Sequence, residues 1–162
     1  MTKLLAALQV PDACISRSRA AKENNCSIQL KLPSEWTVVQ VAVDGCWISS
    51  ETQKKVDVLF QVIPELAQEH SAVLLVEFKG HHLGRALDQL ESTLRHLHQY
   101  PAWRTAQRLK RFGFVILSKC PQIGSYAQRR QVLTERYKID IRWKTQQVTV
   151  SATDLFPELR LA

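Results

Sequence analysis

Apolar and polar positions change their period several times along the chain, and those changes outline its elements. Residues 1–25 open with the apolar run Leu4–Leu8 and turn polar and basic through Ser16-Arg17-Ser18-Arg19, which predicts a short helix followed by a loop. Residues 27–32 and 36–43 read as two strands broken at Pro33-Ser34, with Trp36, Val38, Val39, Val41 and Val43 as strand-favouring side chains. Asp44-Gly45 is a turn signal. Over 54–62 the alternation is regular: Val56, Val58, Phe60 and Val62 share one face, and Lys55, Asp57, Leu59 and Gln61 the other. Five consecutive apolar residues, Ala72 to Val76, then enter the segment Glu77-Phe78-Lys79-Gly80, as expected of an internal strand covered on both faces.

After Gly80 the period becomes helical. Leu83, Ala86, Leu87, Leu90, Leu94 and Leu97 make a single stripe and predict a helix over about 83–99. Pro101 ends it and starts a predicted second, basic helix reaching Arg111. Phe112–Leu117 reads as a strand, 123–137 as a helix, Ile139–Val150 as β structure, and Leu155–Leu161 as a tail or short helix. Mixed strands interleaved with helices predict an α/β domain, a central mixed sheet flanked by helices.

At 162 residues the chain has the length of one domain, and no stretch approaches the run of apolar residues that crosses a membrane. Leu4–Leu8 is also shorter than a signal-peptide apolar region, so a cytoplasmic protein is expected. Four cysteines without a CxxC pair or zinc-like spacing fit reduced thiols. The net charge of +7 is unevenly placed. Trp103–Lys144 holds eleven basic and two acidic residues, while the remainder of the chain is slightly acidic. Such asymmetry suits a polyanionic partner, most often nucleic acid, or else a merely solvated basic face.

The candidate chemistry lies where charge interrupts the apolar strand. Glu77 and Lys79 are two residues apart, so both side chains leave the same face of the sheet. Burying a carboxylate and an ammonium is costly unless they pair or serve a metal. If the strand carrying Asp57 pairs with that of Glu77, two carboxylates stand side by side, and a divalent cation would remove their repulsion. Hard oxygen ligands suit Mg2+ or Mn2+ rather than zinc.

Asp57, nineteen intervening residues, and then Glu77-Phe78-Lys79 resembles the PD-(D/E)XK nuclease superfamily, with Val56 where the family's name carries proline. The resemblance spans roughly residues 36–118. It implies a restriction-endonuclease-like core (helix, three strands, helix, strand) and metal-dependent hydrolysis of DNA phosphodiesters. It also implies that Asp57, Glu77 and the Phe78 carbonyl hold Mg2+ or Mn2+, and that Lys79 positions the attacking water. Gln89, ten residues past Lys79, is the counterpart of a helix glutamine that supports the metal or its water in several branches. Glu23 is the candidate for an acidic residue that many members carry on the first helix. A catalytically silent relative that binds nucleic acid within a DNA-processing complex is the alternative implied. Small members often dimerise, so a homodimer is a further expectation.

Substrate contacts are expected from the basic stretch. Arg104, Arg108 and Arg111 fall at i, i+4 and i+7 of the predicted helix, and Arg129, Arg130, Arg136 and Lys138 crowd the next one. Spread over several elements, such charges suit phosphates better than base edges. Arg142 and Lys144 alternate with Trp143, which is expected to face the core. His81-His82 is expected to be a solvated turn. His96 and His98 are too far apart around their helix to chelate one metal.

Overall fold

The computed structural model describes residues 1–67, 69–120 and 124–159. Helix α1 (Lys3–Ala7) and a single 3-10 turn (Asp12–Cys14) lead into strands β1 (Ile15–Ser16), β2 (Ala20–Glu23), β3 (Cys26–Lys31), β4 (Thr37–Ala42), β5 (Val58–Ile63) and β6 (Ser71–Lys79). Helices α2 (Leu83–His98) and α3 (Pro101–Thr105), strand β7 (Leu109–Leu117), helix α4 (Ala127–Tyr137), strands β8 (Asp140–Thr145) and β9 (Gln147–Ser151) and helix α5 (Ala152–Leu155) follow. The protein is α/β. A six-stranded mixed sheet, in the order β1-β4-β5-β6-β7-β8, forms its centre, and a three-stranded sheet β2-β3-β9 packs beside it. No helix among the described residues is long and apolar enough to cross a membrane.

The central sheet is antiparallel from β4 to β6 and parallel from β6 to β8. Its two faces have different covers. Val39, Val41, Leu59, Val73, Leu75, Val115 and Leu117 face the helices, where the predicted stripe Leu83, Ala86, Leu87, Leu90, Leu94 and Leu97 is buried almost completely. Each such leucine removes apolar area worth about 1.5–3 kcal/mol. Val38, Phe60, Val62, Leu74, Val76, Phe114 and Ile116 instead face Ile28, Leu30, Val148 and Val150 of the small sheet. Gly113 lets α2 approach β7: a Cβ built there would lie 2.9 Å from Leu90 Cδ2.

Several expectations need correction. Strand β5 starts at Val58, not at residue 54; on the face it shares with Asp57, Leu59 is fully buried, and the buried Gln61 accepts a hydrogen bond from Thr2 Oγ1. The basic helix stops at Thr105, and Arg111 lies in β7. There the parallel register Ser71↔Leu109 through Lys79↔Leu117 extends the strand backward past Phe112. Cross-strand pairing of a β-rich segment outweighs the helical spacing of three arginines. The loop expected before residue 25 contains β2, so Glu23 sits on a strand and not on the first helix. The β structure of 139–150 divides at Gln146, whose φ is 58°, between the two sheets. The expected helix start at Ile123 and tail end at Leu161 lie outside the described residues. The thiols are not all reduced: Cys14 and Cys46 form a disulfide, which their 32-residue separation in the chain did not suggest. Cys26 is a buried thiol.

Candidate active site at the end of the sixth strand

Strand β6 carries Glu77 and Lys79 on its helix-facing side, at its C-terminal end. In sheets with parallel strands that end is where crossover loops leave and ligand crevices form. Glu77 is fully buried. Val58 pairs with Val76, so Asp57, one residue ahead, stands across from Glu77. The Asp57 backbone N–H donates to Val76 O at 3.1 Å, and its carboxylate Oδ2 accepts from the Phe78 N–H at 2.7 Å. The Asp57 carbonyl accepts in turn from the Val43 N–H at 3.0 Å, so its backbone is held between the ends of β4 and β6. Adjacent N–H and C=O groups of one strand residue point to the same side. The Phe78 carbonyl therefore also faces Asp57.

The electrostatics of this corner are unusual for a protein core. Lys79 Nζ lies 2.9 Å from Glu77 Oε1, an ion-pair distance, but it approaches outside hydrogen-bonding geometry. Neither Glu77 oxygen has a hydrogen-bond partner among the described residues. Burial, then the Asp57 charge, push the Glu77 carboxyl up to about 9 against the opposing pull of Lys79. Burial also pushes Asp57 up to about 6, opposed by the Phe78 N–H and aided by Glu23. Burial works to lower the Lys79 pKa, but the neighbouring carboxylates outweigh it and raise it. Two carboxyl groups thus hold their protons above the ordinary carboxylate range beside one ammonium.

Whether a hard dication suits these residues turns on Glu77. A buried carboxylate without hydrogen-bond donors is costly alone and is relieved by a cation. Asp57, Glu77 and the Phe78 carbonyl supply only oxygen donors, as Mg2+ or Mn2+ prefers. Among the described residues no group of three or more His, Cys, Asp or Glu side chains is placed to hold a metal. The set is therefore two carboxylates and a carbonyl, which leaves Mg2+ to keep several of its own waters, as it usually does. Glu23 acts on the site through its charge, which reaches Asp57, Glu77 and Lys79.

Gln89 is not delivered to the carboxylates. Its amide donates to Lys55 O at 2.8 Å, while Thr93 Oγ1, fully buried on the next turn of α2, accepts from the Val56 N–H at 3.0 Å. Together they anchor the two residues that precede Asp57. His81 and His82 are exposed, as expected, with their rings 4.0 Å apart and tilted by 41°, and His96 rests against Trp47 and Tyr100.

Most of the basic stretch is engaged by partners within the chain. Arg129 pairs with Asp88 at 2.6 Å and Glu91 at 3.2 Å of α2, and Arg136 reaches the same Glu91 at 3.8 Å. Arg108 pairs with Glu69, Lys110 with Glu158 and Arg142 with Asp140. Arg104 donates to His98 O, and Arg111 donates to Trp103 O and lies over the Trp103 ring. Arg130 covers the half-buried Trp143 with its guanidinium 4.4 Å from the ring centroid. Of the seven residues expected to contact substrate, Lys138 alone has a side chain with neither a hydrogen bond nor an ion pair nor a ring contact among the described residues, and it closes α4 in a left-handed conformation with its backbone N–H donated to Thr134 O.

Sequence reasoning missed the β2–β3 hairpin, which brings Glu23, Asn24 and Asn25 to the end of β6, beside Gly80 and Ser118. Strand β3 matches the strand expected over 27–32, but β2 is short and polar and carries no apolar signal. Comparison with family models, with curated proteins and with solved structures finds no match to this chain.

Proposed function

We propose that the chain is a metal-dependent nuclease that hydrolyses phosphodiester bonds of DNA, with its active site at Asp57, Glu77 and Lys79. The observation that carries the reading is the fully buried, hydrogen-bond-orphaned Glu77 carboxylate, set across from Asp57 and beside Lys79. The succession of three strands, a helix and a strand in β4, β5, β6, α2 and β7 follows the core the PD-(D/E)XK resemblance implies, although β1–β3 stand between α1 and β4 and α3 between α2 and β7, and it supports the same reading.

Asp57, Glu77 and the Phe78 carbonyl would hold Mg2+ or Mn2+. When bound, such an ion acidifies water and offsets negative charge on the reacting phosphate. The chain's own residues do the remainder. The Phe78 N–H fixes the Asp57 carboxylate, and the anchoring of residues 55 and 56 by α2 keeps Asp57 at the strand end. The Lys79 ammonium, half-buried beside the carboxylates, orients the attacking water and stabilises charge that develops on the phosphorane. The test is plasmid nicking with Mg2+ and with chelator, alongside thermal melting. The expected result is ion-dependent nicking together with a raised melting temperature. Nicking that persists in chelator would overturn the reading, as would absence of both effects.

A second reading, a silent relative that binds nucleic acid without cutting it, is favoured by the turning of Gln89 onto Lys55 O. Gel shift without nicking would select it.

A further inference from the structure

Beside Lys79 a pocket of about 270 Å3 opens between the β2–β3 turn and the ends of β6 and β7. It is walled by Glu23, Asn24, Asn25, Phe78, Gly80 and Ser118. Glu23 and Cys26 pair across the turn, Asn24 takes the left-handed conformation at φ 51°, and the two asparagines are exposed. The Glu23, Asn24 and Asn25 side chains make no hydrogen bond or ion pair with another described residue. A tight two-residue turn thus presents one carboxylate and two amides on a fixed frame.

The chemistry of this wall is wrong for phosphate. Its only cation is Lys79, already paired with Glu77, and a phosphate entering would meet the Glu23 charge. What suits the wall is a neutral planar group with N–H donors. A carboxylate accepts from exocyclic amino and ring imino groups, and an asparagine amide both donates and accepts. The ring imino N–H, and the Watson–Crick edge as a whole, are free only when a base is unpaired. The pocket falls just below the usual ligand-site volumes, which run from about 300 Å3 upward, and so takes one ring system and no more.

We infer that this pocket receives a single unpaired nucleobase, so that the protein's ligand is a single strand or a frayed end and not an intact duplex. The placement of that base next to a scissile phosphate rests on the nuclease reading; the pocket itself does not.

Binding is measured with the full chain by fluorescence anisotropy, with Ca2+ in place of Mg2+ to hold back hydrolysis. The probes are a short DNA strand, its blunt duplex, and a series of the same strand lacking one base at successive positions. The strand is expected to bind more tightly than the duplex. One position in the series should cost about tenfold, the scale of one base's contact, and Glu23→Gln and Asn25→Ala should flatten that dip. Equal binding of strand and duplex, a flat series, or a dip unchanged in both variants overturns the inference. The nuclease reading fails separately, by absence of Mg2+-dependent cleavage of the same single strand in the same preparation. A dip without cleavage keeps the pocket and removes the nuclease. Failure of every oligonucleotide to bind overturns both.

Discussion

The end of β6 and the outer face of α2 both concentrate charge, and they treat it in opposite ways. On α2, Asp88 and Glu91 are shared among Lys54, Arg95, Arg129 and Arg136, with every carboxylate answered by guanidinium or ammonium. Their pKa values move down: Asp88 chiefly through Lys54, Glu91 through Arg95 and Arg129 acting against its burial. At β6, Glu77 and Asp57 face one lysine, and their pKa values move up through burial. A structural network closes its charge balance from within the chain. At the end of β6 the chain supplies fewer cations than carboxyl groups, and the nuclease reading takes that shortfall as the place of a metal ion.

The largest expected effect that would break this contrast is catalytic. Lys79→Ala should lower nicking by about two to three orders of magnitude, the usual cost of one charge-stabilising group. Oligonucleotide affinity should be largely retained; full activity in the variant would remove the mechanism.

Next comes pH. Glu77 and Asp57 bind protons more tightly in the folded protein than in the unfolded chain, so the native state keeps protons that unfolding releases. Without metal, the stability these groups contribute is present below about pH 4, falls as pH rises through the ordinary carboxylate range, and levels off only near pH 9. Glu77→Gln should therefore raise the melting temperature at pH 8, on the order of 10 °C, since each of the roughly 3.5 pKa units between the ordinary carboxylate value and pH 8 is about 1.4 kcal/mol and a domain of this size gains about 2–4 °C per kcal/mol. An unchanged or lower melting temperature would contradict the strained carboxylate. Added Mg2+ should stabilise the wild type more at pH 8.5 than at pH 6, because it displaces those protons. Calorimetric scans at the two pH values with and without the ion check the sign.

Smaller again is Arg129→Ala. It removes a partly exposed guanidinium shared by two carboxylates, and chemical denaturation should register a loss of about 1 kcal/mol, more than an isolated exposed pair gives. Its effect on nicking should be slight, whereas a nicking loss equal to that of Lys79→Ala would place Arg129 with substrate. Arg108→Ala, which breaks an exposed pair with Glu69, should change stability by less than about 0.5 kcal/mol.

What could be read beforehand follows from the range of the interactions involved. The α2 leucine stripe and the apolar run of β6 declare themselves locally, and with them the shared face of Glu77 and Lys79. The approach of Asp57 required only that neighbouring strands pair, which they do. The rest depends on partners far away in the chain. Strand β3 pairs in parallel with β9, more than a hundred residues later, and neither β2 nor its turn has an apolar pattern to announce it. Arg111 is claimed by Trp103 and by the register of β7, and Arg129 by acids on α2, so a count of basic residues overstates the free positive surface. Gln89 has the expected spacing from Lys79, but its amide satisfies a backbone carbonyl that the sequence cannot display.

The Cys14–Cys46 bridge turns residues 14–46 into a covalent ring that includes the whole β2–β3 hairpin as well as β4. A single protease cut inside that ring, for instance at the exposed Asn24-Asn25 tip, would leave the two pieces tied together. The nicked molecule would migrate as one species until a thiol reagent released its N-terminal fragment, and its hairpin would still be tethered over the mouth of the pocket.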